Sequence, residues 1–401
     1  MDFIGALCFL LIVSTLCGHL ANRFKIPAVI GQIGAGIIIG PAVLNLIQPT
    51  SAINLFSNIG VIVLMFIGGI GSNLELLKKY LRPAIIVAVI GVIFPVIMIG
   101  IALIWFNFSM FEAIFIGVIF SATSVSISVE VLKDYHSLNT KEGATILGAA
   151  VADDIIGVVL LSIMVSLIGT IKGGQSVDFS KFGVLFIGQV IFVAVTYFMM
   201  KWIVPYLMGI SEKLLMSSSP TIVCIVICLF MAWLAEKVGL SGAVGAFFGG
   251  IAVSKTAEAK LIESHVESIG YAVFVPVFFI SIGLKMSFSG IGQSLGLVIV
   301  LTALACASKL LGCGLGSVVS GNSLRSSYLI GSGMISRGEM GLITAQIGFS
   351  QHIISSQYYS AVILVIILTT LIAPLLIKHS LHGLKNQDSV ISDSELADGT
   401  K

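Results

Sequence analysis

The sequence predicts an all-α membrane protein with about thirteen transmembrane helices. Of its 401 residues, 57% are hydrophobic and only 10% are charged, whereas a soluble domain usually carries about 25% charged residues. Its mean hydropathy is +1.11. Apolar runs such as Ile85–Phe106 are long enough to cross roughly 30 Å of hydrocarbon as helices. These observations exclude a water-soluble fold.

Hydropathy defines the helices, with glycine, proline and charged residues marking the breaks. The predicted helices are 3–20, 27–47, 54–72, 83–106, 111–131, 143–170 and 182–206 in the first half, and 219–235, 239–254, 268–284, 293–318, 324–350 and 355–377 in the second. The polar tail at 381–401 is expected to be disordered.

Loop charge predicts the orientation of these helices. An odd number of spans puts the two termini on opposite sides of the membrane. Most of the 21 lysine and arginine residues fall in loops on the side of Arg23, whereas the opposite side holds Lys172, Lys181, Lys237 and Lys285. The positive-inside rule therefore predicts an external N-terminus and a cytoplasmic C-terminus. The basic residues form no single patch, so we expect no nucleic-acid partner.

Short motifs of small residues recur seven helices apart. Gly31–Gly36 in the second helix resembles Gly242–Phe247 in the ninth, and Met65–Gly71 in the third resembles Phe278–Leu284 in the tenth. Because the offset is odd, the second copy would cross the membrane in the opposite sense. This pattern predicts an inverted-topology repeat, which is typical of secondary transporters.

The same offset pairs the fifth helix with the twelfth, and these two are the richest in polar residues and glycine. They carry Ser121–Ser128 and Gly331–Glu339. Interrupted helices at corresponding positions of two repeats indicate a binding site near the membrane midplane. We therefore predict that both helices break and cross near an ion site.

Five ionisable residues fall well inside predicted spans, away from their ends: Asp153, Asp154, Lys309, Arg337 and Glu339. Each such residue costs roughly 3 kcal/mol or more in hydrocarbon and is a functional candidate by default. Adjacent residues point about 100° apart on a helix. The two aspartates are therefore expected to have different roles.

Asp154 is assigned to a cavity where its carboxylate binds a dehydrated cation or a proton, but not both. Asp153 is expected to pair with Lys309, because an unpaired buried ammonium tends to lose its proton. This pair could open when sodium enters and carry a second proton, or it could be purely structural. Thr123 and Ser124 are candidate neutral ligands, since a hard cation prefers oxygen.

Arg337 and Glu339 flank Gly338. Charged side chains at this position are expected to stabilise the ends of a broken helix rather than to bind the substrate.

Four of these motifs together resemble the cation:proton antiporter-2 family, and within it the NapA-type bacterial sodium:proton antiporters. They are Asp153-Asp154, Ser121-Ala122-Thr123-Ser124, Ser336-Arg337-Gly338-Glu339 and Phe278–Gly283. The resemblance covers residues 1–380, and its most specific element is the aspartate pair with Lys309.

The resemblance implies an NhaA/NapA-like fold in the bacterial cytoplasmic membrane and a homodimer surrounded by lipid. It divides the chain into scaffold and dimerisation helices at 1–82 and 219–290, core helices at 83–170 and 291–380, and a linker helix at 171–218. It further implies an elevator-like movement of the core and electrogenic exchange.

The predicted activity is exchange of sodium, and of lithium in any compact carboxylate site, for protons. No enzymatic activity and no resident cofactor are expected. Alternatives are a potassium:proton antiporter, or a channel or receptor on the same scaffold. An intramembrane aspartyl protease would need its two aspartates on facing helices, whereas here they are adjacent.

Overall fold

The computed structural model describes residues 3–24, 26–173, 179–211, 219–256, 258–286, 295–351 and 353–398, and all regular elements in these ranges are helices. The first half contains α1 (Phe3–Arg23), α2 (Ala28–Ile39), α3 (Ser51–Ile70), α4 (Leu74–Lys79), α5 (Leu81–Trp105), α6 (Met110–Ser121), α7 (Val125–Asp134), α8 (Lys141–Gly173), α9 (Phe179–Phe198) and α10 (Val204–Ser211). The second half contains α11 (Ser219–Lys237), α12 (Gly242–Val253), α13 (Ala259–Ile269), α14 (Val275–Leu284), α15 (Leu295–Val319), α16 (Leu324–Gly333), α17 (Gly338–Ser350) and α18 (Ser356–Asp398). Two π-helical turns, Met199–Ile203 and Gly270–Phe274, join α9 to α10 and α13 to α14.

Ten helical segments of the described chain are long and apolar enough to cross a membrane, and three shorter apolar helices accompany them. The chain is therefore a multi-pass helical membrane protein, as the sequence predicts. The prediction of a long helix at 27–47 differs from the structure, because α2 has only 12 residues, whereas α12, which also has 12 residues, lies within the predicted range 239–254. In α2 the backbone becomes extended at Gly40, and Pro41 follows, which cannot continue the hydrogen-bonding pattern of a helix.

The end of the chain also differs from expectation. Whereas the sequence suggests a disordered tail from residue 381, α18 continues as a helix to Asp398.

Helices of the two halves correspond at a constant spacing of 214 residues. Both α2 and α12 have 12 residues and begin at Ala28 and Gly242, and both α5 and α15 have 25 residues and begin at Leu81 and Leu295. The spacing corrects the expected alignment of Gly31 with Gly242. A side chain at Gly31 would meet Cys17 O and Ala21 Cβ, and one at Gly245 would meet Met231 O and Ala235 Cβ. Gly31 thus corresponds to Gly245.

Two glycine crossings join the halves. At Gly36 in α2 an added Cβ would collide with α14 at Ile280 O, and it would lie 3.0 Å from Gly283 Cα. In the related crossing, a Cβ at Gly250 in α12 would collide with α3 and lie 2.9 Å from Gly69 Cα. Backbones approach this closely only where side chains are absent.

The remaining packing separates into two sets of helices. In one set, α1 packs on α2, α2 on α14, α14 on α3, α3 on α12, and α12 on α11. In the other set, α5 packs on α6, α8 and α15, and α15 packs on α16 and α18. The candidate site lies in the second set, at the interruptions between α6 and α7 and between α16 and α17.

Candidate ion-binding site

Two helix interruptions meet in the structure. The first lies between Ser121, where α6 ends, and Val125, where α7 begins; the second lies between Gly333 and Gly338. The backbone N–H of Ser124 donates a 2.8 Å hydrogen bond to the carbonyl of Ser336. The two breaks, which are far apart in the sequence, are therefore in direct contact.

Small polar residues hold the two breaks together. Thr123 Oγ1 donates to the carbonyl of Met334 at 3.4 Å, and the hydroxyl of Ser128 donates to the carbonyl of Gly333. Gly338 has a positive φ of 41°, a conformation that L side chains rarely adopt. A Cβ at Gly338 would also collide with the side chain of Ser124, so this position requires glycine.

Arg337 is fully buried beside the second break. Its guanidinium donates to the carbonyls of Met334 and Ile335 and, at 2.7 Å, to the carbonyl of Ala305 in α15. The carbonyls of Met334 and Ile335 follow the C-terminal end of α16, where the negative end of the helix dipole favours a cation. Arg337 thus lies where the sequence expects a residue that stabilises the break. The backbone of Glu339 is in α17, and its side chain lies outside the described residues.

Asp153 and Lys309 form a buried ion pair. The ammonium of Lys309 in α15 lies 3.2 Å from Asp153 Oδ1 in α8, and the two side chains are 0% and 1% exposed. The second carboxylate oxygen, Asp153 Oδ2, is buried and has no hydrogen-bond partner among the described residues. The pairing that the sequence suggests is therefore present, and it leaves one acceptor for a further ligand.

Asp154 contacts a residue that sequence reasoning did not select. The hydroxyl of Ser241 donates a 2.8 Å hydrogen bond to Asp154 Oδ2. Ser241 is also the N-cap of α12, because its oxygen accepts from the N–H of Val244 at 3.3 Å. The carboxylate thus faces the N-terminal end of a helix, where the positive end of the dipole favours negative charge.

A small cavity of about 30 Å³ adjoins both carboxylates. Its lining comprises Val118, Ala122, Asp153, Asp154, Gly157, Val158, Leu161, Met340 and Thr344. The volume matches about one water molecule. From the first break, Ala122 lines this cavity, whereas the predicted ligands Thr123 and Ser124 do not.

Thr344 is the second site residue that the sequence analysis did not include. Its hydroxyl donates to the carbonyl of Met340 at 2.9 Å, which leaves the oxygen lone pairs able to accept or to coordinate. In the sequence, Thr344 could have been selected as a polar residue six positions after Gly338 in an apolar helix. Ser241 could have been selected as the serine that precedes the glycine-rich start of α12.

Buried carboxylates and an ammonium within helices of membrane-crossing length define an integral membrane protein with an intramembrane ion site, the class that includes ion transporters. The profile of the sodium/hydrogen exchanger transmembrane family matches residues 9–382. The chain belongs to this family, which confirms the resemblance to cation:proton antiporters.

Relatives support this assignment over the full chain. A Na(+)/H(+) antiporter of Enterococcus hirae is 45% identical over 94% of this chain and 98% of its own. The Na(+)/H(+)-K(+) antiporter GerN of Bacillus cereus is 38% identical over 94% of this chain and 96% of its own. The structure of the sodium proton antiporter MjNhaP1 from Methanocaldococcus jannaschii, at 18% identity, aligns with a TM-score of 0.65 over 93% of this chain and 95% of that one. This structural likeness shows a shared fold.

Proposed function

We propose that this protein exchanges sodium or lithium for protons across the cytoplasmic membrane. The observation that carries the proposal is the pair of buried aspartates at the crossing of two helix breaks, one bound to Lys309 and the other to Ser241. The sodium:proton exchange named for the relatives at 45% and 38% identity supports the same activity.

Competition for Asp154 couples the two ions. A sodium ion entering the adjoining cavity has lost most of its water and takes oxygen ligands instead. Carboxylate oxygens of Asp154 and Asp153 Oδ2 are the charged ligands, and the hydroxyl of Thr344 is a neutral one. Protonation of Asp154 removes its negative charge and occupies one lone pair, so the same site releases sodium when it binds a proton. The hydroxyls of Thr123 and Ser124, together with carbonyls of the first break, stay as proposed neutral ligands.

The ion pair between Asp153 and Lys309 adds a second proton-linked group. When sodium draws the Asp153 carboxylate away, Lys309 is left buried without its counter-ion and releases its proton. Protonation of Lys309 on the return step restores the pair. Exchange of one sodium for more than one proton is electrogenic, and we propose this form.

Alternating access follows from the two sets of helices. We propose thirteen spans, with α6–α7 and α16–α17 as the two broken helices of an inverted repeat, an external N-terminus and a homodimeric assembly in lipid. The constant spacing of 214 residues supports the repeat, and the separate packing of the two sets supports a core that moves against a scaffold. We call the set that contains α1, α2, α3, α11, α12 and α14 the scaffold set, and the set that contains α5, α6, α8, α15, α16 and α18 the core set. Ser241 belongs to the scaffold set and Asp154 to the core set. Their hydrogen bond must therefore break when the core moves, and also when a cation takes Asp154 Oδ2.

The proposal is tested in proteoliposomes that contain a pH-sensitive dye. A proton gradient is imposed, and sodium, lithium or potassium is added outside to wild type, Asp154→Asn and Glu75→Gln, which removes an exposed carboxylate on α4. We expect sodium and lithium to drive recovery of the dye in wild type and in Glu75→Gln, and no recovery in Asp154→Asn. Because protons compete with sodium, the wild-type rate should fall as both sides are acidified.

Other outcomes would reject specific parts of the proposal. Dye recovery with potassium alone would replace sodium with potassium as the substrate. Cation flux without proton movement in sealed vesicles would identify a channel. Full activity in Asp154→Asn would remove Asp154 from the site.

A further inference from the structure

A groove of about 440 Å³ lies between α9 with its π-helical turn, the short helix α4 and the end of α12, away from the aspartate site. Three lysines line it: Lys78 from α4, Lys201 from the π-helical turn and Lys255 from the residues after α12. All three are exposed. No carboxylate occurs among the described lining residues. Three ammonium groups from three separate elements therefore converge on one groove, an arrangement that favours an anion.

The wall beside these lysines is apolar and aromatic. Val193 and Tyr197 on α9, together with Phe248 on α12, line the groove. Val193 and Tyr197 are more than half exposed and continue a lipid-facing stripe that includes Ile187 and Val190. An occupant with a charged end and a long apolar body would match this surface.

A buried hydroxyl adds a hydrogen-bonding group to the same wall. Thr196 lines the groove, is 3% exposed, and its Oγ1 has no hydrogen-bond partner among the described residues. A buried polar atom without a partner is costly. A ligand oxygen at this position would satisfy it.

Lys201 also has two aromatic neighbours. Its ammonium lies 4.9 Å from the ring centre of Trp202 and 5.7 Å from that of Tyr197. Such contacts restrict the side chain. Lys201, which lines the groove beside Tyr197, is thereby held where the charged end of an occupant would lie.

We propose that this groove binds an anionic phospholipid, with its phosphate among Lys78, Lys201 and Lys255 and one acyl chain along Val193 and Tyr197. The three lysines lie on the side that the positive-inside rule assigns to the cytoplasm, and basic pockets on that side of membrane proteins bind anionic headgroups. The bound lipid would connect α9 to α4 and α12 and so stabilise the linker helix against the scaffold set.

The test compares lipids that share acyl chains but differ in charge. Full-length protein in detergent is titrated with dioleoyl phosphatidylglycerol or dioleoyl phosphatidylcholine, and bound lipid is counted by native mass spectrometry while thermal stability is followed in parallel. Lys78→Gln/Lys201→Gln/Lys255→Gln removes the three groove charges. Arg23→Gln/Lys79→Gln/Lys260→Gln removes three exposed charges from the same predicted side and outside the groove. Each lysine near an anionic headgroup contributes about fivefold in affinity, so the groove variant should bind phosphatidylglycerol on the order of 100-fold more weakly.

A second variant separates the apolar wall from the charges. Val193→Trp fills the groove and retains all three lysines, so it should also lose phosphatidylglycerol. Sodium:proton exchange in phosphatidylcholine vesicles shows whether each variant is folded. If the triple variant is not folded, Val193→Trp alone tests the groove. Inorganic phosphate and glycerol phosphate are the headgroup probes without acyl chains.

The proposal is supported if wild type and the outer-charge variant retain phosphatidylglycerol over phosphatidylcholine and both groove variants do not. Equal loss in the outer-charge variant would show general surface attraction and overturn it. Equal binding of the two lipids would overturn it as well. Stabilisation by inorganic phosphate that matches phosphatidylglycerol and persists in Val193→Trp would instead identify a site for a free anion.

Discussion

The buried pair of Asp153 and Lys309 allows a thermodynamic cycle with a clear expected sign. Asp153→Asn leaves an ammonium in a position that is 0% exposed, and Lys309→Gln leaves a carboxylate that is 1% exposed. Removal of one partner from a buried ion pair costs about 3–5 kcal/mol, whereas replacement of both by neutral groups is often close to neutral.

Thermal unfolding in a zwitterionic detergent, followed by the fluorescence of a fused reporter on size exclusion, measures this cycle. We expect both single variants to unfold at lower temperature than wild type, and the double variant Asp153→Asn/Lys309→Gln to recover most of the loss through an amide–amide hydrogen bond. The double variant retains Asp154, so it should still exchange sodium for protons but no longer respond to an imposed membrane potential. A double variant as unstable as the sum of the single variants would refute the reasoning, because the two residues would then not interact.

Three further predictions concern the site and the helix crossings. Ser241→Ala removes a hydrogen bond to a charged group, worth about 1.5–3 kcal/mol, that sodium must displace. The half-maximal sodium concentration for exchange should therefore fall by about tenfold or more, while Ser109→Ala, which removes only an N-cap of the same 3.3 Å length, should leave it unchanged. A rise in Ser241→Ala would show that the hydroxyl is a sodium ligand. Gly36→Ala forces α2 away from α14 and should destabilise the protein in the heating assay by about 1–3 kcal/mol. Its control, Gly34→Ala, has open space at the added Cβ and should stabilise the protein by up to about 1 kcal/mol. Equal effects of the two variants would contradict the crossing. Arg337→Gln should reduce the yield of folded protein, with only partial recovery in Arg337→Lys because lysine lacks the planar fork that reaches several carbonyls; full recovery would show that charge alone is required.

Much of the site could be predicted from sequence because charge is rare in this chain. A membrane helix tolerates few ionisable residues, so Asp153, Asp154, Lys309 and Arg337 were identifiable by their presence alone. Pairing of Asp153 with Lys309 followed from the requirement that buried charges have partners. The breaks were predictable because serine and glycine interrupted two otherwise apolar helices.

What could not be predicted depends on contacts between distant segments. Ser241 is 87 residues from Asp154, and no local pattern tells an N-cap that faces a carboxylate from one that faces solvent. The register of the repeat was also ambiguous, because glycine and alanine occur at many positions and a shift of three residues still aligns small residues. The helix bounds and the contacts of Gly31 and Gly245 determine it. Short helices such as α2 were overestimated, since hydropathy does not distinguish an apolar turn from a helix.

The two glycine crossings have a consequence for biosynthesis. Each one joins a helix of the first half to a helix of the second half, α2 with α14 and α3 with α12. Neither α12 nor α14 has been synthesised while the first half is emerging from the ribosome. The glycine surface of α3 has no partner until α12 (Gly242–Val253) has been inserted, and that of α2 has none until α14 (Val275–Leu284) has been inserted. The first set of helices therefore cannot complete its packing until the second half of the chain has been inserted, with the α3–α12 crossing available before the α2–α14 crossing.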